Sequence, residues 1–159
     1  MKINDTIPRV SLDARVCPSG DEKVRLFALL IETNARLERT LGLELESACD
    51  LPLAWFEVLL TLRQAPDERL KMNQIADAIV HSTGGTTRLI DRLEENDLVV
   101  RQACASDRRA IYVALTEAGG AKLDDALAVH LGYLETHLAS RLSAGERTTL
   151  SSLLEKLNA

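Results

Sequence analysis

At 159 residues the chain is long enough for one domain, or one small domain with appended helices. Hydrophobic residues make up 46% and aromatics only 3%, so the core must be leucine, alanine, valine and isoleucine, a composition that suits helix-on-helix packing. A net charge of −5 argues against indiscriminate binding to nucleic acid but leaves room for a focused basic face. No apolar run approaches the ~20 residues of a membrane span and no signal-peptide pattern opens the chain, so a soluble cytoplasmic protein without a membrane partner is expected. Cys17, Cys49 and Cys104 form no CxxC pair and no regular framework, which reads as reduced thiols.

Residues 1–21 show no clean period, carry Pro8, Pro18 and Gly20, and are expected to be an irregular arm. A long helix is predicted over 22–50, where Leu26, Leu29, Leu30, Thr33, Leu37, Leu41 and Leu45 recur on one apolar face. Leu51-Pro52 ends it, because the residue before proline avoids helical backbone. Pro52 suits the first turn of a second helix with Leu53, Phe56, Leu59, Leu60 and Leu62 inside. Trp55, the single tryptophan, fits either helix packing or the wall of a ligand pocket. Ala65-Pro66-Asp67-Glu68 is a turn.

Residues 73–115 form the block around which the rest is arranged. A short helix is predicted with Asn73 as N-cap and Ile75, Ala76 and Ile79 inward. His81-Ser82 is a tight polar turn, with Ser82 capping a second helix that runs to Glu95. Its inner face is Leu89, Ile90 and Leu93, and its outer face carries Thr83, Gly84, Thr86, Thr87, Arg88, Asp91 and Arg92. Gly84 and Gly85 in its first turns suit close approach to a phosphate, since free amides at a helix start bind anions; a merely loose helix start is the alternative. Two β-branched runs follow, Leu98-Val99-Val100 and Ile111 to Leu115, flanking a polar tip at Ser106-Asp107-Arg108-Arg109. Two short helices joined by a tight turn present one helix to a DNA major groove, and an arginine-tipped hairpin reaches the neighbouring minor groove or phosphates. Between Thr83 and Tyr112, Arg88, Arg92, Arg101, Arg108 and Arg109 are balanced by Asp91, Glu94, Glu95, Asp97 and Asp107, so a positive surface there must come from segregation onto one face.

Thr116-Glu-Ala-Gly119 opens another long helix, with Leu123, Leu127, Leu131, Leu134, Leu138 and Leu142 along one stripe. Ser143-Ala-Gly-Glu146 has capping-box form and starts a last helix with Leu150, Leu153, Leu154 and Leu157 on one face. These terminal stripes exceed what a small wing can cover, and a two-fold helical dimer is their economical use. His130 and His137 lie about two turns apart on one helix, ~10 Å along its axis, which is too far for one metal. No metal and no cofactor is expected. There is also no G-x-S-x-G, no phosphate-binding glycine loop and no H-E-x-x-H, so an enzyme is not expected.

The run Asp107-Arg-Arg-Ala-Ile-Tyr-Val-Ala-Leu-Thr-Glu-Ala-Gly119 resembles the wing signature D-x-R-x3-V-x-L-T-x2-G of the multiple-antibiotic-resistance regulator (MarR) family. Gln74 to Ile79, Thr86 to Glu94 and Leu51 to Leu60 are similar to the same family's two DNA-binding helices and its second helix, in order and at consistent spacing. The resemblance implies a mainly α protein with a small β wing, a winged helix-turn-helix with N- and C-terminal dimerisation helices. Its implied organisation is an arm (1–21), a dimerisation helix (22–50), a DNA-binding lobe (51–117) and C-terminal dimerisation helices (118–159). It implies a homodimeric regulator, usually a repressor, on a pseudo-palindromic double-stranded DNA operator. Asn73, Gln74 and the stretch Ser82, Thr83, Gly84, Gly85, Thr86, Thr87, Arg88 and Arg92 would serve the major groove. Arg109 would enter the minor groove with Asp107 orienting it, and Arg108 would take a phosphate. A small aromatic or phenolic effector is implied in a crevice near the first and second helices, where Trp55, Arg36, Arg39 and His130 are candidates. Two alternatives stand beside this reading. One is a cysteine-based redox sensor, for which Cys17 lies before the first helix in Val16-Cys-Pro-Ser, without the hydrophobic-aromatic surround of that branch. The other is a helical interaction module that never binds DNA.

Overall fold

The structure, a computed structural model, describes residues 21–79, 83–103 and 111–159. Its helices are α1 (Glu22–Cys49), α2 (Leu53–Gln64), α3 (Met72–Ala78), α4 (Thr83–Glu95), α5 (Glu117–His137) and α6 (Ala144–Asn158). Its strands are β1 (Arg69–Lys71), β2 (Val99–Ala103) and β3 (Ile111–Leu115), and short 3-10 turns lie at Pro66–Glu68 and Ala139–Arg141. No helix among the described residues is long and apolar enough to cross a membrane.

Packing divides the chain after Thr40, inside α1. Up to Thr40 the described chain is helical, and Leu26, Phe27, Leu29, Leu30 and Ile31 are exposed. From Leu41 onward the core begins. Leu45 and Leu51 are fully buried, and α2 supplies Phe56, Val58, Leu59 and Leu62. Pro52 opens α2 as the sequence predicts, its carbonyl accepting from the Trp55 and Phe56 amides at 2.9 and 3.1 Å. Helix α2 packs against α5, whose Leu123, Ala126 and Tyr133 face inward. The guanidinium of Arg63 at the end of α2 donates to the Gly120 carbonyl (3.1 Å) and to Asp124 (3.2 Å), and its Nε lies 3.2 Å from Glu68.

The wing is part of a three-stranded antiparallel sheet of order β1-β3-β2, not the isolated two-stranded hairpin that the sequence predicts. Lys71, Tyr112 and Gln102 stand in register on one face; Leu70, Val113 and Arg101 stand in register on the other. On the first face, Arg69 and Lys71 lie 5.5 and 5.8 Å from the centre of the Tyr112 ring.

Helix α5 stops at His137, earlier than the leucine stripe to Leu142 suggests. Leu138 leaves helical backbone, and the Arg147 guanidinium takes the carbonyls of Ala139 and Leu142 at 2.8 and 2.6 Å. At the start of α6 the predicted capping box is present. The Ser143 amide donates to Glu146 at 2.8 Å, and this bond with the hydroxyl contact holds the Glu146 carboxyl below its ordinary range.

Candidate nucleic-acid interface

Helix α3 starts two residues earlier than predicted. Asn73 is not the N-cap; Met72 is the first helical residue, and the Gln74 side chain accepts the Lys71 amide at 2.9 Å. This closes the helix start with the reach-back half of a capping box. Ile75 and Ile79 are buried and Asn73 and Gln74 exposed, so Gln74 has a structural task as well as a surface position.

Helix α4 sorts its residues by burial. Ile90 and Leu93 are fully buried, as predicted, while Gly85, Thr87, Arg88 and Arg92 are exposed. Thr86 departs from expectation. It lies on the inner side at 2% exposure, in line with Ile90 and Leu93, and its hydroxyl has no hydrogen-bond partner among the described residues. Thr86 therefore helps pack α4 and does not share the outer face with Thr87. Ser82, Asp107, Arg108 and Arg109 lie outside the described residues, as do Cys17 and Cys104. Thr83 and Gly84 are placed only by their backbone, as the first residues of α4.

The residue that sequence reasoning left without a role is Arg101 on β2. Its inward register carries the guanidinium to α4, where Nη2 donates to Asp91 at 2.6 Å and Nη1 to Glu94. The Arg101 amide donates to the other Glu94 oxygen at 2.9 Å. That amide bond, with the guanidinium behind it, holds the Glu94 carboxyl below its ordinary range. Burial works against the Arg101 charge, but Asp91 and Glu94 outweigh it and raise its affinity for the proton. Two carboxylates three apart on one helix were visible in the sequence, but the inward direction of Arg101 comes from the sheet register. Arg88 and Arg92 have no ion pair among the described residues.

Thr116 and Gly119 fasten this unit to α5. The Thr116 hydroxyl accepts the Gly119 amide (2.9 Å) and donates to the Asp97 carbonyl (2.6 Å), while the Thr116 amide donates to Leu98 at 3.2 Å. Val113, Thr116 and Gly119 of the wing signature are thus structural positions.

Trp55 lines an open groove of about 550 Å³ with Asp50, Pro52, Asn96, Leu98 and Lys122 among its described walls. His130 is not among them; it packs against Phe56 with ring centres 5.2 Å apart. Its Nδ1 is buried without a hydrogen-bond partner among the described residues, and burial pushes its imidazole pKa down. His137 is paired with Glu44 at 3.4 Å and stacked on Tyr133. Arg36 lies in the helical stretch before Thr40. Cys49, at the end of α1, is half-buried and unpaired.

A family model described as MarR family matches residues 50–110. The HTH-type transcriptional regulator MhqR of Bacillus subtilis (strain 168) is 31% identical over 102 residues, which span 64% of this chain and 68% of that protein. Wild-type MarR from E. coli in its apo form is 30% identical over 83% of this chain and 95% of its own, with a TM-score of 0.72. A cysteine-to-serine mutant of the same protein, complexed with operator DNA, is 29% identical over 86% of this chain and 95% of its own, with a TM-score of 0.75.

A helix-turn-helix backed by a three-stranded wing sheet, with a polar helix face turned outward, defines a winged-helix DNA-binding protein. The chain belongs to the MarR family, and is accordingly a DNA-binding transcriptional regulator rather than an enzyme.

Proposed function

We propose that the chain acts in the cytoplasm as a homodimeric repressor of a pseudo-palindromic operator, released by a small aromatic or phenolic ligand. The segregation within α4 carries this reading: Thr86, Ile90 and Leu93 are turned inward, while Thr87, Arg88 and Arg92 are left outside. In it, α4 enters the major groove and Arg88 takes a base edge or phosphate. Arg92, four residues along the same face, takes a phosphate. Gly85 and the amides at the start of α4 approach the backbone. Asn73 and Gln74 of α3 flank the groove, with Ser82, Thr83, Gly84, Asp107, Arg108 and Arg109 in the roles that the family resemblance implies. The stretches 22–50 and 118–159 serve the dimer, and 51–117 serves DNA. Two-fold symmetry sets the half-sites about one helical turn, near 10 base pairs, apart. The E. coli MarR mutant bound to operator DNA supports the DNA reading. Trp55, Arg36 and His130 remain the residues to vary when effectors are screened.

The test is fluorescence anisotropy of labelled duplex from the region upstream of the gene, with scrambled duplex as competitor. Competitor-resistant binding that falls about tenfold or more in Arg88→Ala supports the reading. Binding that falls steeply with salt supports phosphate contacts. An Arg88→Ala variant that binds as tightly as the parent removes α4 from the groove.

A further inference from the structure

Helix α4 does not carry net positive charge by itself. Arg88 and Arg92 are outnumbered by Asp91, Glu94 and Glu95. A helix in that state is repelled by phosphate, and its own carboxylates compete for its arginines. Residues three apart on a helix are neighbours, so Asp91 is within natural reach of Arg88. Yet Asp91 is bonded to Arg101 at 2.6 Å, and Arg88 stands exposed with no ion pair among the described residues. Glu94 is held twice, by the guanidinium and by the amide of Arg101. With the strand arginine counted, the three carboxylates face three cations, and the exposed share of the positive charge falls on Arg88 and Arg92.

We infer that Arg101 is a positioning residue for DNA recognition: it withholds Asp91 from Arg88 and so leaves the Arg88 guanidinium available to the nucleic acid. Arg101 does this from the inner side of β2 and touches no DNA itself. The two ends of the fork differ in what their loss does. Without the guanidinium, Glu94 keeps its bond to the residue-101 amide, whereas Asp91 loses its Arg101 bond and is free to turn to Arg88. The effect of Arg101 on DNA binding therefore runs through Asp91. This rests on the reading that α4 faces the groove.

The experiment is a double-mutant cycle in the full chain, read by anisotropy on a fluorescein-labelled duplex recovered from a random-sequence pool by the parent protein. Far-ultraviolet circular dichroism and thermal melting run alongside. Arg101→Met is expected to weaken binding about tenfold at low salt, less as salt is raised, because one added negative charge per protomer is screened. In the Asp91→Asn background the same Arg101→Met change is expected to cost about twofold or less, since an amide cannot capture Arg88 as a carboxylate does. An equal loss in both backgrounds overturns the inference, because Arg101 would then act only by holding β2 on α4. No loss in Arg101→Met also overturns it. If Arg101→Met does not fold, the cycle is run with Arg101→Lys, which keeps one cation but not the fork, and the same coupling to Asp91 is required. Arg88→Ala is the control. If it binds as the parent does, the placement of α4 in the groove has failed, a result separable from the cycle.

Discussion

A methyl group added at Gly119 would sit 2.0 Å from the carbonyl oxygen of Leu98 and 3.1 Å from a Leu115 methyl. Backbone cannot retreat from that contact without pulling α5 from the turn after α4. Gly119→Ala is expected to destabilise the fold by about 2–3 kcal/mol despite alanine's better helix propensity. Urea denaturation, compared at equal m-value, measures the loss. The glycine of the wing signature was thus legible as a position, but its cause was not, because the approach of Leu98 depends on how α5 and β2 cross. Thr86 shows the opposite case. Its spacing to Ile90 and Leu93, four and then three, places it on the inner stripe by helical arithmetic. Its hydroxyl suggested an outer, DNA-facing role, and packing overrode polarity. The arginine at 101 had the right neighbours in the sequence, but only the sheet register shows which way it points.

Among the elements, α4 ends in a feature with room for improvement. The Leu98 amide bonds the Leu93 carbonyl at 3.0 Å and the Asp97 amide bonds Glu94 at 3.0 Å, the paired bonds of a Schellman ending. Asp97 occupies the left-handed position with φ 58°, where glycine is most at ease. At Asp97 the Thr116 hydroxyl meets the backbone carbonyl, so the aspartate side chain has no part in that bond. Asp97→Gly is expected to raise stability by about 0.5–1 kcal/mol, read as an upward shift of the thermal midpoint. The boundaries of α1 and α2, both strands flanking the tip and the α6 capping box were legible, because each has a local cause: a leucine stripe, Pro52, β-branched runs, Ser143 with Glu146. Strand β1 was not, since three residues are too few to show a period and its pairing with β3 is made across the 42 residues of chain between Leu70 and Val113. The end of α5 was hidden for the same kind of reason, as Arg147 reaches back from α6 to hold the 3-10 turn.

For the whole molecule, the apolar surface left over is the telling quantity. Helix α6 has no buried residue, and Leu150, Leu153, Leu154 and Leu157 are 37–67% exposed. A contiguous leucine face of this kind in water calls for a partner. Under the dimer reading, Leu153→Glu with Leu157→Glu is expected to shift the protein to monomers in sedimentation velocity. It is also expected to weaken binding to a two-half-site duplex at least tenfold while leaving the helical content of the lobe in place. A variant that stays dimeric places the interface elsewhere.

Strand β3 is the middle strand of the sheet and runs into α5 with only Thr116 between them, while that residue also grips the turn after α4. The sheet, the end of α4 and the start of α5 are therefore tied together through one residue, with little slack between them. Under the dimer reading, the adjustable variable between two such units is their spacing and tilt. Under the proposed function, a signal that changed only that spacing would turn DNA binding on or off without breaking a hydrogen bond inside either unit.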